Sequence, residues 1–70
     1  MEKREIEIAI QRLKDQLDET MEERYFVLTQ SGHHIPGHTV KEYDAAIEKL
    51  ERKINHLRQL LVAKEEKAGQ

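Results

Sequence analysis

From residue 40 onward, apolar side chains fall at Val40, Tyr43, Ile47, Leu50, Ile54, Leu57 and Leu61, spaced 3, 4, 3, 4, 3, 4. An α-helix gathers such positions onto one stripe, and a stripe repeating every seven residues is the seam along which helices supercoil. The seam must be covered by another helix. Thr39 followed three residues later by Glu42 fits a capping box, so this helix is predicted over residues 40–66. At 1.5 Å per residue it would be about 40 Å long.

The first half supplies the cover. Ile6, Ile10, Leu13 and Leu17 recur at spacings 4, 3, 4, and the strict heptad would next reach Thr20 and Arg24, both polar. Moving instead to Met21, Tyr25 and Leu28 keeps the stripe apolar through a four-residue stutter, which unwinds a supercoil locally without ending the helix. No Gly or Pro precedes Gly32, a natural C-terminal stop. The first helix is therefore predicted over residues 3–29, with a loop at 30–38 and a flexible tail after the second helix. Two rods of similar length joined by a short loop cannot lie parallel. The expected fold is all-α, an antiparallel two-helix hairpin of coiled-coil type forming a single domain over residues 1–70. One segment pulls the other way: RYFVLT, residues 24–29, favours strand, and HIPGHTV could supply its partner. Pro36 removes a ladder donor there, which favours the helical reading.

Composition narrows the function classes. The chain has no cysteine, which excludes disulfides and thiolate metal sites. Its 12 basic and 14 acidic residues are interleaved, so it lacks the dense basic face that nucleic-acid binding requires. No apolar run approaches the roughly 20 residues of a membrane span. The charged opening MEKREIEIAIQRLKDQ does not suit the apolar region of a secretory leader. A cytoplasmic protein that binds neither nucleic acid nor membrane is expected.

Apolar residues also occur off the stripe: Ile8, Ala9, Phe26, Val27, Ala46, Leu60 and Val62. A lone hairpin leaves these in water, at a loss of roughly 25 cal/mol per Å² of unburied apolar surface. Pairing two hairpins into a homodimeric four-helix bundle would cover them. Phe26, Val27 and Leu60 are the candidates for that partner surface. The expectation is a small regulator or adaptor, of a size that suits bacterial or phage regulation. It would contact itself and an unidentified second protein, with no cofactor and no enzymatic activity.

The linker TQSGHHIPGHTV holds three of the four histidines. His33, His34 and His38 could ligate zinc, nickel or copper, with Asp44 or Glu42 as a further ligand. The free amides at the start of the second helix, after Thr39, could instead hold a phosphate or nucleotide. A plain bend accounts for the same residues: Gly32 and Gly37 permit positive φ, Pro36 stiffens the turn, and Thr39 caps the helix. The bend is the preferred reading, because the linker lacks both the glycine pattern of a phosphate loop and the carboxylate spacing of a metal site.

At Val40, Lys41, Glu42, Tyr43 and Asp44, with Ile47 three residues beyond, the second helix resembles the small sporulation-regulating aspartyl-phosphate phosphatases. Those are two-helix proteins whose signature is a Ser-Gln-Glu-Leu-Asp run followed by an apolar residue. Glu42 and Asp44 match by identity, Tyr43 and Ile47 in apolar character, and the Ser and Gln are absent. The resemblance implies that Asp44 would help water attack the aspartyl phosphate of a response regulator. A carboxylate in a first helical turn is also what the helix dipole favours.

Overall fold

A computed structural model describes residues 2–30 and 36–68. Two helices make up these residues: α1 spans Lys3–Gln30 and α2 spans Gly37–Ala68. They lie side by side and antiparallel in a rod 58 Å long and 16 × 14 Å across. No strand occurs among the described residues.

Each helix begins where local chemistry starts it. At α1, the Glu2 amide donates to the Glu5 carboxylate at 3.2 Å, one half of a capping box, while the Ile6 amide closes the first turn onto the Glu2 carbonyl. α2 opens at Gly37, three residues earlier than its heptad suggests, and the Thr39 amide donates to the Pro36 carbonyl at 3.0 Å. Pro36, with φ already near the helical value and no amide to satisfy, is well placed just before the first turn. Thr39 therefore lies inside that turn and does not cap the helix, and Gly37 does not use a left-handed backbone.

RYFVLT is helical despite its strand-favouring composition. Helix propensities differ by only tenths of a kcal/mol among such residues, so tertiary packing decides. Here Val27 and Leu28 gain partial burial, and the Thr29 hydroxyl donates to the Tyr25 carbonyl at 2.7 Å. Of the loop expected at 30–38, Gln30 belongs to α1 and residues 37 and 38 to α2, while 31–35 lie outside the described residues. α2 also runs past the predicted residue 66. Of the tail expected there, residues 67 and 68 belong to α2, and positions 69 and 70 lie outside the described residues.

The core is small: Ile6, Ile10 and Ile54 are buried, and Leu13, Leu17, Leu57 and Leu61 pack against them half-covered. Val40, Tyr43, Ile47 and Leu50 continue the α2 stripe, also half-buried. In α1 the stripe departs from expectation. Met21 and Tyr25 are 50% and 71% exposed, whereas Thr20, Arg24 and Val27 are half-buried. No stutter occurs; α1 keeps the strict heptad through Ile6, Ile10, Leu13, Leu17, Thr20, Arg24 and Val27. Read backwards from Leu61, α2 has the same 4, 3, 4, 3, 4, 3 steps. A stutter in one helix alone would carry its stripe off the other. The two polar intruders are satisfied, Thr20 by donating to the Gln16 carbonyl at 2.8 Å and Arg24 by Asp44.

Candidate functional site

A heptad seam has two flanks, and in this hairpin they differ. One carries Glu7, Lys14, Met21 and Leu28 of α1 beside Asp44, Glu51, Arg58 and Glu65 of α2; the other carries Ala9, Gln16 and Glu23 beside Thr39, Ala46, Lys53 and Leu60. Among the described residues, both ion pairs that join the helices lie on the first flank. Lys3 Nζ meets Glu65 Oε1 at 3.5 Å at the open end, and Arg24 Nε meets Asp44 Oδ1 at 3.0 Å near the linker. The third pair, Glu48 with Arg52 at 3.4 Å, stays within α2.

The second flank has no such latch among the described residues, and its floor is apolar. Near the linker a groove is lined by Glu19, Thr20, Glu23, Phe26, Tyr43 and Leu50. Farther along, Leu13 and Leu57 floor a second groove edged by Lys49, Arg52, Lys53 and His56. Phe26, at 63% exposure, and Leu60, at 38%, border this side in water. Val27 is half-buried against the seam and so contributes more to the hairpin than to its outer surface. Ile8 and Val62 are also exposed.

The linker candidates fare differently. His33 and His34 lie outside the described residues. His38 is exposed on the first turn of α2, Thr39 is half-buried beside it, and Asp44 is held by the Arg24 guanidinium. Among the described residues no three His, Cys, Asp or Glu side chains converge on a possible metal position. No described helix is long and apolar enough to cross a membrane. Arg24 is the contributor that the heptad reading passed over, since a charged residue at a seam position looked like a reason to shift the stripe. An acidic residue on the facing helix, Asp44, was the available signal.

Comparison of the chain with protein-family models, curated proteins and solved structures finds no match.

Proposed function

We propose that this chain is a small non-enzymatic adaptor that works through helix-mediated contact with protein, its hairpins pairing into a four-helix bundle. What carries the reading is surface. The hairpin exposes 5750 Å², whereas a folded monomer of its 8.3 kDa mass exposes about 4,600 Å² by the usual scaling. The surplus is of the order that each partner buries in a standard protein interface, about 800 Å². With three buried apolar side chains among the described residues, of which only Ile6 is fully buried, the monomer also has little core of its own.

Sedimentation equilibrium over a range of concentrations tests this. The expected species has twice the 8.3 kDa chain mass, and its thermal midpoint rises with protein concentration because association stabilises the fold. A monodisperse monomer at millimolar concentration would end the reading.

A further inference from the structure

Resting on that reading of self-association, we infer that the second copy docks on the flank carrying Ala46, Lys53 and Leu60, with its ends reversed by a two-fold axis across the rod. Charge argues for the orientation. In both interhelix ion pairs the residue numbers add to 68, so a residue of α2 lies level with the residue of α1 whose number completes that sum. Lys53 is then level with position 15, Lys49 with 19 and Glu42 with 26. On this flank Arg12, Lys53 and Lys49 form a basic band over levels 12–19, and Glu19, Glu23 and Glu42 form an acidic band over levels 19–26.

A copy laid with its ends matched sets Glu23 and Glu42 against their counterparts and Arg12 against Lys53. A copy laid with its ends reversed sets the basic band of each hairpin against the acidic band of the other. Alongside the bands both copies present the same apolar floor, Leu13 and Leu57 beside the basic band and Tyr43 and Leu50 beside the acidic one. The other flank is bridged near both ends by Lys3–Glu65 and Arg24–Asp44, and the groove left between them, floored by Leu17 and Ile54, is edged by Lys14, Glu51 and Arg58, whose mixed charges form no such bands. A self-complementary patch of this kind is what a two-fold interface requires.

Complementary charge reversal tests the assignment. The acidified variant Lys49→Glu/Lys53→Glu and the basic variant Glu23→Lys/Glu42→Lys are each expected to weaken self-association at least tenfold while keeping their helical circular dichroism. Mixed together, they are expected to recover a dimer, because one face is then mainly acidic, with Arg12 its one remaining cation in the bands, and the other mainly basic, with Glu19 its one remaining anion. Nitroxide labels on His38→Cys report orientation: reversed ends separate them by about 30 Å or more at 1.5 Å per residue. A dimer that forms equally well in either variant alone, or that brings the two labels within about 15 Å, overturns the docking face or its direction but leaves self-association standing. A wild-type chain that never dimerises removes both.

Discussion

Arg24 and Asp44 stand 20 residues apart in the chain, and the guanidinium Nε lies 3.0 Å from the carboxylate. Lys3 and Glu65 stand 62 apart, but in both pairs the residue numbers add to 68, so the two pairs pin opposite ends of the hairpin to one register. Slipping α2 by one residue would move each carboxylate to a neighbouring face of its helix. A slip of a full heptad would restore the stripe but break both pairs. A heptad slip would also leave seam residues at both ends of the stripe without opposites, so the seam and the two pairs favour the same register.

The pairs should nevertheless contribute little to stability. Both carboxylates and Lys3 are more than half exposed, where ion pairs are worth about 0.2–1 kcal/mol and are screened by salt. A double-mutant cycle with Arg24→Ala and Asp44→Ala should give a coupling below about 1 kcal/mol at low ionic strength that vanishes near 1 M salt. Coupling that persists undiminished in high salt would show that the pair is not the solvated contact described.

The path of the α1 stripe makes a sharper prediction. Met21→Ala and Tyr25→Ala should each change stability by no more than about 0.5 kcal/mol, as expected of side chains half or more exposed outside the seam. Thr20→Leu should instead stabilise by about 1 kcal/mol, because it places an apolar side chain in the half-buried seam. Chemical denaturation of the three variants at one protein concentration separates the two stripes. The opposite ranking would restore the stutter.

Much of this architecture is legible in the sequence. The unbroken 3-4 spacing from Val40 to Leu61 requires a facing helix, and Ile6 to Leu17 provides it. The structure departs from the sequence pattern at the Met21–Tyr25 turn and at Thr39, each for a physical reason. Hydrophobicity identified Met21 and Tyr25 as the better seam residues, but a seam is a joint property of two helices, and α2 allows no stutter opposite. Thr39 looked like a cap because Ser and Thr caps are common, yet Pro36 lets the helix begin earlier. The asymmetry between the flanks was less accessible. It depends on which residues stand level with each other, and that follows only once the register is fixed.

The core predicts a steep response. Ile6 is wholly buried and Ile54 nearly so. Replacing either with Ala removes about 2–5 kcal/mol, comparable to the whole stability of a chain this short. Ile54→Ala should therefore lose most of its helical signal at 25 °C, whereas Ile54→Val, costing about 0.5–1.5 kcal/mol, should melt lower but remain folded. An Ile54→Ala protein with an unchanged melting curve would mean that the helices are held by something other than this seam.

The start of α2 yields a prediction of opposite sign. Gly37 is the first residue of the helix, its backbone is not left-handed, and a Cβ built there meets nothing within 4 Å. Glycine leaves the unfolded chain more freedom to lose, so Gly37→Ala should stabilise by about 0.4–1 kcal/mol. Thr39 should behave as an ordinary first-turn residue, and Thr39→Ala should cost less than about 0.5 kcal/mol, whereas loss of a true N-cap costs about 1. If the helix began at residue 40, both results would change together: alanine at 37 would be neutral or harmful, and alanine at 39 would be costly. Thermal melts of the two single variants, compared at equal concentration, decide where the helix begins and so whether His38 rides on α2 or precedes it.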